Sequence, residues 1–281
     1  MENWGQRLKE VSKKSQVLAK RIESYLKTKE SAGKEFSLIE KRLNEIKKIL
    51  ADYPCVEIKT NLSTWLTAEA EALKTIKDEF RYKFGSELRD LLAKDGIVLK
   101  GQLPVLRVGF YTLKLDFELG FATLFWGPEI QTIKSKIPLS VPTIYETIHS
   151  FNERIKRHLT PPKDFLKNLI RAYERYTKLN NIPAGEKVLL IDLLSELVLL
   201  SQPASFRADP AKDKFREYSR IQFSYDLYNL KQRENFVIGK HRLRLGVATF
   251  DATTDKTKSI WVPDNEQGDG TFYSYLVFEP I

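Results

Sequence analysis

The sequence predicts an α+β chain: a long N-terminal coiled-coil-like helix or helical hairpin, followed by a mixed domain with antiparallel β-sheet. Three observations carry this. Apolar residues over 8–50 recur at alternating steps of three and four. The period changes to two over 103–139. Helical patterns then return, and period-two runs close the chain from about Phe215.

The first stripe comprises Leu8, Val11, Leu18, Ile22, Tyr25, Ala32, Phe36, Ile39, Leu43, Ile46 and Leu50, with Ser15 and Lys29 in its two weak positions. It keeps one register for six heptads and passes through KTKESAGKEF, residues 27–36, without a phase change. Two helices joined by a loop have no reason to share a register, and a 3.5-residue period is the coiled-coil signature. The expectation is therefore one helix from about Trp4 to about Asp52, roughly 70 Å long. Gly33 and the lack of large apolar residues over 27–35 mark a hairpin turn as the alternative. In either case the stripe needs a partner helix.

Pro54 ends this segment, because it removes a donor and restricts Tyr53. A second helix is expected from a cap at Ser63 or Thr64 to about Lys94, with Trp65, Leu66, Leu73, Ile76, Phe80, Phe84, Leu88, Leu91 and Leu92 as its apolar positions. Gly96 is placed to close it in the left-handed conformation. A short connection would pack the second helix antiparallel to the first. Residues 103–139 read as strands, with turns near Glu118–Gly120 and at Gly127-Pro128.

Two amphipathic helices follow. The first puts Ile144, Ile148, Phe151, Ile155 and Leu159 on one face, with Thr143 and Glu146 at capping-box spacing. The second puts Leu166, Leu169, Ile170, Tyr173 and Tyr176 inward. Gly185–Leu200 is apolar almost all round and predicts a buried central helix. RIQFSYDLYNL, NFVIGKHRLRLGVATFD, KSIWVP and TFYSYLVFEP predict four antiparallel strands. The polar, Pro-containing linker 201–214 is the candidate boundary. The division is a helical arm over 1–95, a β-hairpin with helices over 96–201, and a sheet region over 202–281 that packs with 96–201 as one globular domain.

The chain carries a net charge of +9, and 6 of those charges are the surplus of Lys/Arg over Asp/Glu in residues 1–50. A basic stripe tracks phosphates or an acidic protein, or is simply a solvated helix face. The single cysteine, Cys55, excludes an internal disulfide and a multi-thiolate metal site. The longest apolar run, Val188–Leu200, is broken by Asp192 and Glu196 and is too short to span a bilayer. The opening residues have no apolar stretch of the signal-peptide kind. A cytoplasmic chain without membrane contact is expected.

Several chemistries lack their residues. Gly239-Lys240-His241 has neither the upstream glycine nor the hydroxyl of a nucleotide-binding loop, and no GxGxxG or GxSxG occurs. His149 and His158 stand nine residues apart, half a turn out of phase on a helix, so no metal is expected there. No cofactor is expected. A metal-dependent nuclease needs Asp, Glu and a following Lys or Gln in one cleft. Asp116 with Glu129 and Gln131 has that local form, as does Asp52 with Glu57 and Lys59. Tyr273–Phe278 lacks the basic-Gly pair of an RNA-recognition motif, so that family is not assigned.

Basic residues suited to phosphate are Arg154, Arg157, Lys167 and Arg171 on the middle helices, and Lys240, Arg242 and Arg244 on a late strand. The expectation is a non-enzymatic coiled-coil adaptor or accessory subunit. It would dock a protein partner, or its own copy, through Leu8, Val11, Leu18, Ile22, Tyr25, Phe36, Ile39, Leu43, Ile46 and Leu50. Its basic faces would meet DNA or RNA. A genome-maintenance or antiviral-defence complex is a natural setting. A metal-dependent nuclease is the alternative.

Overall fold

The structure, a computed structural model, describes residues 3–31, 36–233 and 236–281. Three helices open the chain: α1 (Trp4–Ser31), α2 (Phe36–Ala51) and α3 (Val56–Ala93). The single long helix is thus replaced by two. Arg21 on α1 meets Glu45 on α2 at 3.2 Å, and Ser15 meets Tyr53 at 2.6 Å, so the pair is antiparallel. Ala32 and Gly33 lie outside the described residues.

The shared register has a physical cause other than continuity. Both helices face one interior. Leu18, Tyr25, Phe36, Ile39, Leu43, Ile46 and Leu50 form a core with Tyr53, Leu66 and Leu73, and Ile22 packs against it. The stripe expected to grip a partner is therefore largely covered by this chain's own helices. Leu8 and Val11 lie outside that core: Leu8 is exposed and Val11 half-buried.

α3 starts earlier than expected. Cys55 is its N-cap, without a side-chain cap bond. Ser63 and Thr64 lie inside the helix, where the Thr64 hydroxyl donates back to the Thr60 carbonyl at 3.2 Å. Its far end closes as expected. Gly96 has φ +70, and the Ile97 and Gly96 N–H groups reach the Leu92 and Ala93 carbonyls at 3.1 and 3.0 Å. This is the paired bond pattern of a glycine-terminated helix.

A five-stranded antiparallel meander follows: β1 (Leu99–Gln102), β2 (Val105–Val108), β3 (Tyr111–Asp116), β4 (Phe121–Trp126) and β5 (Gln131–Pro138). Both expected turns fall between strands, and β1 is an addition. Next come α4 (Val141–Arg157), α5 (Pro162–Leu179), β6 (Val188–Leu189), α6 (Leu190–Leu200) and α7 (Ala204–Ala208). The capping box on α4 does not form. Its N-cap is Ser140, and Thr143 sits within the first turn. A 3-10 turn at Lys212–Lys214 leads to α8 (Arg220–Lys231). The chain ends in β7 (Val237–Ile238), β8 (His241–Val247), α9 (Phe250–Thr253), β9 (Ile260–Pro263) and β10 (Gly270–Pro280). These form a second antiparallel sheet, ordered β6-β10-β8-β7, with β9 also on β10.

Two helices exchange the roles read from the sequence. RIQFSYDLYNL is α8 and not a strand, and Ile221–Tyr228 are all buried. The alternation of Ile221, Phe223, Tyr225 and Leu227 imitates a strand because a helix enclosed on every side has no polar face to show its period. Conversely, α6 buries only Leu190, Leu193 and Leu197, and Leu199 is 53% exposed. It lies on α5, where Arg175 meets Glu196 at 2.8 Å and Tyr176 donates to Asp192 at 2.9 Å.

α8 sits between the two sheets. The Trp126 indole of β4 donates to the Ser224 hydroxyl at 3.0 Å, and Ser224 donates to the Trp261 carbonyl of β9. The Trp126 and Trp261 rings meet edge-on at 5.7 Å. Gly127 has φ +60, and a Cβ there would stand 2.7 Å from the Trp261 ring. One core cluster runs from Phe84 to Phe278 through both sheets and α4, α5, α6 and α8. Among the described residues, no helix is long and apolar enough to cross a membrane.

Two measurements check this packing. Leu227→Ala should cost about 2–5 kcal/mol in urea unfolding, whereas Leu199→Ala on half-exposed α6 should cost under about 1 kcal/mol. In the bundle, burial pushes the Glu69 carboxyl up, but hydrogen bonds from Lys29 and Tyr25 outweigh it and hold it below its ordinary value. This group contributes stability above its unfolded pKa of 4.5 and loses it as pH falls through the lower folded value. Glu69→Gln should remove that part of the acid-side loss in a pH series of melting temperatures.

Candidate functional site

The last turn of α4 carries Arg154, Lys156 and Arg157, whose charge complements the helix C-terminus. The chain then turns over 158–161 into α5. Asp226, buried on α8, holds this turn. Its carboxylate accepts from the Thr160 N–H at 3.3 Å, from Gln222 Nε2 at 3.0 Å and from the Tyr218 hydroxyl at 2.7 Å. Opposite, buried Gln202 at the end of α6 donates to the Arg216 carbonyl at 3.0 Å and accepts the Arg216 N–H at 2.9 Å. Two segments far apart in sequence are thereby fixed beside each other.

Between them opens a cleft of about 750 Å³. Phe151, Phe165, Leu197 and Tyr218 give it apolar wall, Asn168, Thr160 and Gln222 give it polar groups, and Arg154, Arg157 and Arg216 give it charge. Glu217 is the only carboxylate on the described wall. Arg154 lies over the Phe151 ring at 4.6 Å. Among the described residues, none of the three arginines forms an ion pair. The volume falls within the range of small-ligand sites, roughly 300–1,000 Å³. Three guanidinium groups without an ion pair, beside amide groups and with Glu217 as the one carboxylate on the described wall, suit an anionic ligand such as phosphate.

The expected basic residues separate into groups. Arg154 and Arg157 both line the cleft. Lys167 and Arg171 stay on the exposed face of α5, where Lys167 approaches Asp164 at 3.9 Å. Arg242 and Arg244 project from the β8 face opposite the buried Leu243, and Lys240 is exposed in the β7–β8 turn. Arg244 meets Glu279 at 2.6 Å, and Arg242 stands opposite Glu279 in the ladder. That charge is partly answered within the sheet.

Asp116, Glu129 and Gln131 do not converge. Asp116 closes the β3–β4 turn by accepting the Glu118 and Leu119 N–H groups at 3.0 and 2.8 Å. Glu129 sits past the opposite end of the same hairpin, at φ 56, and meets Lys114 at 3.2 Å. The ladder pairs Asp116 with Phe121 and Tyr111 with Trp126, which sets the two ends roughly 17 Å apart. The Gln131 Oε1 is buried without a hydrogen bond. Asp52 and Glu57 are exposed, and Lys59 donates to the Ala51 carbonyl. Among the described residues, no three His, Cys, Asp or Glu side chains gather as metal ligands.

Arg216, Tyr218, Gln222 and Asp226 escaped the sequence reading. Arg216 follows the linker and carries no periodic signal, and the other three belong to or adjoin the helix that imitates a strand. Burial raises the Asp226 carboxyl above its ordinary value, and its hydrogen bonds to Tyr218, Gln222 and Thr160 offset only part of that. The folded chain therefore binds this proton more tightly than the unfolded one, and stability should rise as pH falls through the raised pKa toward 3.8. Asp226→Asn should abolish this rise when urea unfolding of the two proteins is compared across pH.

Comparison with known protein families, with curated proteins and with solved structures finds no match for this chain.

Proposed function

We propose that this chain is a non-enzymatic accessory subunit that holds single-stranded nucleic acid across the cleft between α4, α5 and α6. One observation carries the reading: Arg154, Arg157 and Arg216 line one cleft with aromatic and amide groups, and none has a carboxylate partner among the described residues. Arginine without an internal partner is what a phosphate backbone neutralises. The cleft volume suits one or two nucleotide units of a strand and not the breadth of a duplex. The surplus positive charge of the chain adds long-range attraction.

Anisotropy of a labelled single-stranded oligonucleotide, titrated from about 50 to 200 mM salt, tests this. Three phosphate contacts should give a log–log salt slope of about −2. The triple change of Arg154, Arg157 and Arg216 to Ala should weaken binding at least about tenfold and flatten that slope. Arg244→Ala, which removes a group tied to Glu279, should change affinity little. Absence of binding at low salt, or an unaltered triple variant, refutes the assignment.

A further inference from the structure

Asp226 is a buried carboxylate that no cation answers. It is 1% exposed. Among the described residues no Lys, Arg or His pairs with it, and its partners are neutral donors. The Thr160 N–H and the Gln222 amide reach Oδ1, and the Tyr218 hydroxyl reaches Oδ2. All three partners line the cleft, and Asp226 does not. A negative charge thus lies one hydrogen-bonded layer behind the wall of a site that Arg154, Arg157 and Arg216 also line.

An anion in the cleft and the Asp226 carboxylate repel each other. Asp226 lies in the interior, where its field is screened less than in water. Burial already disfavours its ionised form, because the hydrogen bonds offset only part of the desolvation. A bound anion adds to that cost. Protonation removes the cost without dismantling the wall: a proton on Oδ2 leaves both Oδ1 bonds, to Thr160 and Gln222, in place.

We propose that the cleft takes up a proton at Asp226 when it binds its anionic ligand, so that binding tightens as pH falls. The proposal rests on the cleft being the phosphate site described above and adds its regulation. By linkage the effect is reciprocal: acid favours the ligand, and the ligand favours the protonated acid. Asp226 acts through the wall and touches no ligand itself. Two groups on the wall also respond to acid in the same sense. His158 at the end of α4 gains positive charge on protonation, and Glu217 before α8 loses negative charge. Tyr218, and Tyr225 on the same helix as Asp226, stay neutral, because burial pushes both hydroxyls above their ordinary value.

The probe is unlabelled oligothymidine, whose bases gain no proton in mild acid. It is titrated onto the full chain by calorimetry from about pH 8 to about pH 5, in buffers of different ionisation heat. The unaltered chain should bind at least about threefold more tightly at the acid end and take up part of a proton per strand. The double change His158→Gln and Glu217→Gln should keep both effects. Asp226→Asn should lose both. Tyr218→Phe deletes a bond that favours the ionised form, so it should move the pH profile toward higher pH, whatever it does to affinity overall. That variant carries the test if Asp226→Asn does not fold. Binding indifferent to pH, disappearance of the effect in the double variant, its persistence in Asp226→Asn, or an unmoved profile in Tyr218→Phe overturns the coupling and leaves the cleft assignment standing. Absence of binding at every pH refutes both.

Discussion

Enclosure of α8 between two sheets is the constraint on which the rest of the globular part depends. A helix buried on every side must satisfy its polar groups internally, because an unpaired buried group costs about 1–3 kcal/mol. Ser224 does so by joining the Trp126 indole to the Trp261 backbone, which binds the two sheets through one hydroxyl. Asp226, two residues on and toward the other side of the helix, satisfies its carboxylate with Thr160, Tyr218 and Gln222. The same residue that makes the helix acceptable in the interior also shapes the loop beside the cleft. Site and core are therefore one hydrogen-bonded construction.

α3 performs a comparable office between the bundle and the sheets. Its first half faces the bundle core through Leu66 and Leu73, and its second half faces the main core through Phe84, Leu88 and Leu92. Phe80 stands at the crossover, with Phe36, Phe84 and Phe117 around it at ring distances of 5.6 to 6.1 Å. Lys77 completes the joint. It is only 7% exposed and pairs with Glu40 of α2 and with Glu118 of the β3–β4 turn. Burial pushes its pKa down, but the carboxylates outweigh that and raise it. A buried ammonium with two partners fixes direction more than it adds stability. The bundle is thus held in a defined direction.

The arrangement separates two surfaces of different chemistry. The cleft offers three exposed guanidinium groups around its wall. The first turns of α1 offer exposed Trp4 and Leu8. Most other basic side chains with a described partner are answered close by, as Arg244 is by Glu279 and Arg175 by Glu196. Net charge alone does not identify a contact surface, because what counts is which positive groups the fold leaves without an acid.

Much was legible from local pattern. The amphipathic stripe, the closing glycine at Gly96, the turns near 118–120 and at 127–128, the face of α4 and most of that of α5 follow from spacing that needs no distant contact. The hairpin stood only as the alternative, marked by Gly33, because two helices facing one interior can share a register as well as one helix can. α8 and α6 exchanged roles because apolar content indicates burial only when the surroundings are known: Leu199 is apolar and exposed, Asp226 is charged and buried. The sequence by itself determined the α+β class, the amphipathic elements and the basic surplus, since these depend on side-chain order along the chain. The tertiary structure alone decided which stripe is spent internally and which arginines line one cleft, since Asp226 holds the turn after Arg157 and Gln202 holds the Arg216 backbone through contacts that local pattern does not show.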